Sequence, residues 1–419
     1  MRTTFTVLAT IALLTTAAGS ALAVDLRVSD PGGVAGRVGA PVAVPIDLAA
    51  QFGSQVDPGR LSLAELSGPG QAPGKPIAVQ FEPGAAGAPE GQPAAARSLQ
   101  GTLWLVMPPG TAEQRTFRLT LADASVPAEL TVGPADAGSR YDVREGALPV
   151  LRYNQGTVPV PAGVDPVYAR GDYISPLFGL EGEVLTDDYP KDHPHHRGVG
   201  WSWPVTRWKD EVRDIWAVRG VWSRPVAMPL TQGGPVLAVL CAENVWKWGD
   251  QDPIVREDVA IRAFRKGPVG RFVDVEVRLT ALADGVAIGG RPHAGYGGFG
   301  LRAAPCQDRQ IALLRDPEGA SPRRSWIDYS GVFAGGKGRS GLAIFEHPAN
   351  PDYPSELQQY PDCNYAMPAF PGQREVPLSK DKPLVLKHRL WIHSGPADEK
   401  ALSDVWAAYA SPPAATIEK

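Results

Sequence analysis

Arg271-Phe272-Val273-Asp274-Val275-Glu276-Val277-Arg278-Leu279 is the stretch that decides the fold. From Val273 on, apolar and charged residues alternate along it. Successive side chains of an extended chain point to opposite faces, so this pattern is a strand with one buried and one polar face. Such half-polar strands belong to antiparallel sheets; parallel strands are apolar on both faces. Similar runs recur on either side, at 150–153, 236–240, 255–261, 342–345 and 384–393, with glycine turns at Asp284-Gly285 and Gly289-Gly290. Gly (46) and Pro (42) are abundant, which favours many turns and few long helices. The expectation is an all-β chain. Residues 141–396 form a large antiparallel β-sandwich, supersandwich- or jelly-roll-like, too long for an immunoglobulin-type module of roughly 100 residues.

The rest of the chain divides around that block. Residues 1–23 read as a secretory signal peptide: Arg2, an apolar run over 5–14, and Ala21-Leu22-Ala23 as the cleavage site. Residues 24–132 read as a small β-sandwich, with strands at 42–46, 101–106 and 116–121 and Gly/Pro/Ala-rich material between them. This domain has no histidine and no cysteine, and reads as a spacer or packing partner. Gly133-Pro134-Ala135-Asp136-Ala137-Gly138-Ser139 marks a linker at 133–140. Residues 397–419 are a C-terminal helix and tail. Asp398 is placed to cap the helix, Leu402, Val405, Trp406 and Tyr409 make its stripe, and Pro412-Pro413 ends it.

Charge and cysteine usage exclude some partners. The formal net charge is −4 and no basic tract stands out, so nucleic acid is not an expected partner. No stretch after the leader could span a bilayer as a helix, and the mature chain is expected in a periplasm or outside the cell. Cys241, Cys306 and Cys363 are far apart in sequence, which allows one disulfide and one free thiol without choosing the pair. The oligomeric state is not readable.

The chemistry concentrates in Asp187-Asp188-Tyr189-Pro190-Lys191-Asp192-His193-Pro194-His195-His196-Arg197-Gly198. Three of the seven histidines of the chain fall here. Pro190 and Pro194 forbid helix interior, so the stretch is a stiff loop feeding a strand, Val199-Gly200-Trp201-Ser202-Trp203. Strand parity would put His193, His195, Arg197, Trp201 and Trp203 on one face. Imidazole titrates nearest neutrality and is the commonest metal ligand. Asp188 or Asp192 could orient an imidazole, Arg197 could hold a carboxylate or oxyanion, and Trp201 and Trp203 could stack on a sugar ring. A lone histidine here would more simply cap a turn; three beside an arginine favour a site.

Further polar groups could join the same cleft. His293 and Arg302 flank a glycine-rich run, Gly297-Gly298-Phe299-Gly300. Asp328 lies in Trp326-Ile327-Asp328-Tyr329, and His347 and Asn350 lie in His347-Pro348-Ala349-Asn350-Pro351. Each could equally be turn or strand-end structure. Glu257 sits mid-strand, where the pattern favours solvent, and a cleft-facing position would suit a general acid.

Taken together, Asp188-Tyr189-Pro190, Asp192-His193-Pro194-His195-His196-Arg197-Gly198, the glycine run through Arg302, Trp326-x-Asp328-Tyr329, His347-Pro348-x-Asn350-Pro351 and Trp391-x-His393-x-Gly395 resemble an exported bacterial family labelled PmoA-like. The resemblance covers about 141–395. It implies a large β-sandwich from sugar-degrading bacteria and brings no established mechanism. The label would imply oxygenase chemistry. A chain without a membrane span or an N-terminal histidine sets that below carbohydrate chemistry.

The reading is an exported protein with a carbohydrate or glycoside ligand, of hydrolase, lyase or epimerase type. His193, His195, His196, Arg197, Asp192 and Asp188 are its first candidates. Glu257, His293 and Asp328 are further acid/base candidates, and Trp201, Trp203, Arg302, His347 and Asn350 would bind substrate. In a metal-assisted variant His193 and His195, with a distant third ligand, hold a divalent ion. The alternative is a non-catalytic glycan-binding or cell-surface protein.

Overall fold

Along the strand Arg271–Ala281, Val273, Val275, Val277 and Leu279 are buried on one face. On the other face Asp274 receives both arms of Arg389, at 2.6 and 2.8 Å. The structure, a computed structural model, describes residues 23–68, 73–84 and 99–418. The leader expected at 1–23 falls outside them save for its last position. Among the described residues no helix is long and apolar enough to cross a membrane.

The fold is all-β and antiparallel. Eight long strands form one sheet, in the order Val221–Gln232, Leu237–Trp248, Asp252–Phe264, Arg271–Ala281, Leu384–Ser394, Arg339–Glu346, Ser325–Phe333, Cys306–Arg315. Eight shorter strands form a second sheet that carries the histidine loop. Its order is Glu356–Tyr360, Tyr365–Ala369, Gly298–Arg302, Val199–Ser202, Tyr173–Leu177, Leu148–Asn154, Arg140–Glu145, Leu130–Ala135. The two sheets enclose one apolar core containing Tyr153, Ile174, Trp201, Leu301, Trp246, Val259, Val277 and Leu390. Phe299 of one sheet stacks on His388 of the other at 4.1 Å.

The long-strand sheet is buried on its other face as well. Phe272, Trp326, Phe345 and Trp391 pack there against the N-terminal sandwich and the C-terminal helix. Accordingly Leu384–Ser394 is buried on both faces from His388 to His393. Polar ties cross the same junction: Arg262 takes both oxygens of Glu82, and Gln80 accepts the backbone N–H of Val236 and of Leu237. The helix runs Glu399–Ala410, capped by Asp398 through the Ala401 N–H at 2.7 Å.

Two boundaries differ from expectation. Residues 133–140 are not a linker: Leu130–Ala135 is the edge strand of the histidine sheet, followed by the 3-10 turn Asp136–Gly138. An edge strand tolerates Gly133 and Pro134, whose composition imitates a linker. The tail also folds back, and Ala414–Glu418 pairs with Val24–Ser29, so the last strand completes a sheet of the first domain. All three cysteines are free thiols.

Between the sheets lies a polar knot. Glu257 is fully buried and accepts the indole N–H of Trp201 and of Trp246, each at 2.8 Å. Ser223 donates to it at 3.2 Å. Burial first, and the neighbouring Asp172 charge second, push this carboxyl well above the usual range, in favour of its protonated form. The expectation that Glu257 faces solvent is overturned. It shares strand parity with Val255, Val259 and Ile261, all buried. Trp201 and Trp203 are overturned as sugar platforms too: both are buried, and Trp203 donates to the Phe370 carbonyl at 2.9 Å.

Glu257→Ala should destabilise the protein by about 2–5 kcal/mol in guanidinium unfolding, because two buried indole donors lose their acceptor. Glu257→Gln, close in shape to the neutral acid, should be milder. Equal losses in the two variants would contradict a protonated Glu257.

Candidate functional site

The histidine loop is a closed hairpin standing on the end of the shorter-strand sheet. Its stem is tied by the Gly198 N–H to the Asp187 carbonyl at 2.9 Å and by pairing of Asp188 with Arg197. Its tip is a turn in which the His196 N–H reaches the His193 carbonyl at 2.9 Å. That turn, at Pro194, breaks strand parity. His193 stacks flat on His196 with ring centroids 4.7 Å apart, while His195 stands edge-on to both, at 5.7 and 4.6 Å.

Two arginines hold the loop from below. Arg302, at the end of the strand Gly298–Arg302, grips Asp192 through both arms at 2.7 and 3.1 Å and touches His196 Nδ1 at 3.3 Å. Asp192 in turn meets His193 Nδ1 at 3.0 Å. Arg197 donates to the carbonyls of Pro194 and Tyr168 at 2.7 and 2.6 Å, stacks on Tyr189, and lies 3.4 Å from Asp188. Its two terminal nitrogens are thus engaged by the protein itself, while the buried Nε faces Asp188 without a hydrogen bond. Arg197 clamps the loop rather than waiting for an oxyanion.

A crevice of about 20 Å³, room for roughly one water, opens between the loop and the outer face of the sheet. His195, His196, Arg170, Tyr173, Trp216 and Tyr365 are among its walls. Gly200 and Ser202 floor it because they alternate with the inward Trp201 and Trp203. Gly300 is needed for the same reason: a Cβ there would lie 2.3 Å from the Tyr365 hydroxyl. No protein group hydrogen-bonds His195 among the described residues; rings of Tyr168, His193 and His196 surround it.

The electrostatics follow from burial beside guanidinium groups. Burial, then the neighbouring imidazole and arginines, depress His195 to about 4. Burial and the adjacent histidines depress His196 to about 2. Both rings are neutral at neutral pH. Burial raises Asp188 to about 6, against the pull of Arg197. Tyr173 donates to Asp188 at 3.2 Å, and burial with that charge lifts its phenol well above the ordinary value.

Other candidates lie elsewhere. Asp328 is on the long-strand sheet, bonded to His393 Nε2 at 2.9 Å, because its strand serves the other layer. His347 accepts the Ala349 N–H at 3.0 Å and packs on Tyr409, and Asn350 bonds the Lys387 backbone from both ends of its amide. These are turn structure. His293 is exposed, with a left-handed backbone (φ 66°) in a turn. Of the remote residues only Arg302 reaches the loop. Reasoning from sequence missed Arg170, Tyr173, Trp216, Tyr365 and Cys363. Arg170-Gly171-Asp172-Tyr173, polar residues running directly into a strand, was the available signal.

The metal expectation changes partners. His193, His196 and Cys363, not His195, bring ligand atoms within 4.8 Å of one another. Asp192 on His193 Nδ1 would orient that ring suitably. The surrounding charge opposes a dication, however. Arg302 lies against His196, and burial raises the Cys363 thiol, which must ionise to bind metal.

Comparison with known proteins gives a family without a function. Residues 140–407 match a family of unknown function, DUF6807, and the chain belongs to it. The match carries no PmoA-like or oxygenase description. No curated protein matches the chain.

Protein purified without added metal should contain sub-stoichiometric zinc, and a chelator should leave its melting temperature unchanged; one tightly held zinc per chain would contradict this reading. The depressed imidazoles also set a pH dependence. Their folded values lie below about 6.5, so the unfolded chain takes up protons first as pH falls. The stability they contribute is whole above that pH and is lost toward 4. Urea midpoints between pH 6.5 and 4.5 should fall less in His195→Asn than in wild type; parallel falls would show that His195 titrates normally.

Proposed function

We propose that this chain is an exported enzyme that acts on a carbohydrate or glycoside by proton transfer, with the crevice beside the histidine loop as its active site. The observation that carries the reading is His195: a neutral imidazole, free of protein hydrogen bonds, at the wall of a crevice. Its low pKa leaves the ring unprotonated at neutral pH, with a nitrogen open to accept a proton. Tyr173 in the same crevice keeps its phenolic proton, which points at Asp188, and it is the matching donor once that hydroxyl turns from Asp188 to substrate. One acceptor and one donor are the minimum for hydrolysis, elimination or epimerisation of a sugar. Arg197, Arg302 and Asp192 position these groups by fixing the loop.

Export is proposed from Arg2, the apolar run after it and Ala21-Leu22-Ala23. A purely glycan-binding role would be served by an exposed aromatic platform, and Trp201 and Trp203 are not available for one. The oxygenase chemistry suggested by the PmoA-like resemblance would need a redox metal, which the charge beside His196 disfavours.

The test is a glycoside activity screen of the full mature chain. His195→Ala and Tyr173→Phe should each lower kcat by about 100- to 10,000-fold. His293→Ala, in its exposed turn, should be unchanged. Wild-type turnover by His195→Ala would remove the crevice from catalysis.

A further inference from the structure

Every titratable side chain lining the crevice is an arginine, an imidazole or a phenol, and no carboxylate lines it. Arg170 stands out among them. It is 9% exposed, yet among the described residues no carboxylate comes within ion-pair distance of it. Its hydrogen bonds are long and go only to carbonyls: Ile215 at 3.4 Å, Trp216 at 3.3 Å and Gly171 at 3.5 Å. The other two arginines of the site have counter-ions, Asp188 at 3.4 Å for Arg197 and Asp192 at 2.7 Å for Arg302. A guanidinium taken out of water without a counter-ion is costly, and its planar fork matches a carboxylate.

We propose that the substrate carries a carboxylate, as a uronic acid residue does, and that Arg170 receives it in the crevice beside His195. The inference rests on reading the crevice as the active site. It narrows the substrate class from sugars in general to acidic ones. A carboxylate presents two coplanar oxygens to the flat Arg170 fork, the pairing that geometry fits. Arg197 and Arg302 are already paired and do not compete for the ligand.

The experiment is calorimetric binding to the full mature chain of methyl glucuronide, methyl galacturonide, their neutral methyl glycosides and glucose 6-sulfate. At least one uronide should bind ten-fold or more tightly than its neutral counterpart and than the sulfate. Arg170→Gln should abolish that preference, and Arg170→Lys, which keeps the charge but not the fork, should retain part of it. Both variants are checked by thermal melting, and Arg170→Lys alone carries the test if Arg170→Gln does not fold. His195→Gln should keep the preference, which separates this inference from the catalytic reading: binding can survive where turnover is lost. Equal binding of uronide and neutral glycoside overturns the proposal. So does sulfate binding as tightly as uronide, or a preference untouched in folded Arg170 variants.

Discussion

Positive charge held out of water at the foot of one loop governs the state of the groups above it. Arg170, Arg197 and Arg302 are all buried, and acidic partners are present for only two of them. A cation in a low-dielectric setting acts on neighbours far more strongly than one in water. Burial first, then the neighbouring imidazoles and these cations, make a further positive charge expensive, so His195 and His196 stay neutral. The buried positive charge also favours whatever negative charge can be brought in. Asp192 answers that demand at Arg302 and Asp188 at Arg197, and each anchors part of the hairpin in doing so. The loop is stiff because its carboxylates are engaged from below, and its imidazoles stay unprotonated because burial, with the neighbouring rings and cations, opposes their charge.

The sandwich gives this arrangement a floor that does not yield. The strand Val199–Ser202 turns Trp201 into the core, where Glu257 takes its indole N–H, and turns Gly200 and Ser202 out to the crevice. The same backbone therefore fixes the core and the site. On the far side of the long-strand sheet, the N-terminal sandwich, the C-terminal helix and the returning last strand cover a second apolar face. The first domain is thus a structural layer of the whole protein, packed on the sheet that backs the histidine sheet.

Much of the fold was legible because its signals are local. The alternation in Arg271–Ala281 and the Asp398 cap with its Leu402, Val405, Trp406, Tyr409 stripe need no knowledge of distant contacts. The loop was legible for the same reason, since three histidines and an arginine stand adjacent in sequence. What failed depended on which face of a strand meets the core. Trp201 and Trp203 were given to a sugar although large side chains alternating with Gly200 and Ser202 mark a core face. Glu257 was given to solvent although its parity is that of Val255, Val259 and Ile261. Asp328, His347 and Asn350 sit in sequence patterns as polar as the loop, and only the sheet order carries them away from it. Arg170 left a trace only in the polar run into Tyr173, and Tyr365 left none, because their meaning comes from the absence of carboxylates around a crevice that several distant segments build together.

The central claim is that His195 is an unprotonated, unpartnered imidazole at the wall of a cationic crevice. Nitrogen NMR of the histidine rings across a pH titration reads this directly, with His195→Gln supplying the assignment. The expected result is a ring that stays neutral from pH 8 down to the region of 4. A His195 that titrates near 6.5, as a free imidazole does, would mean that burial beside the arginines does not control the site, and the account would fail at its base.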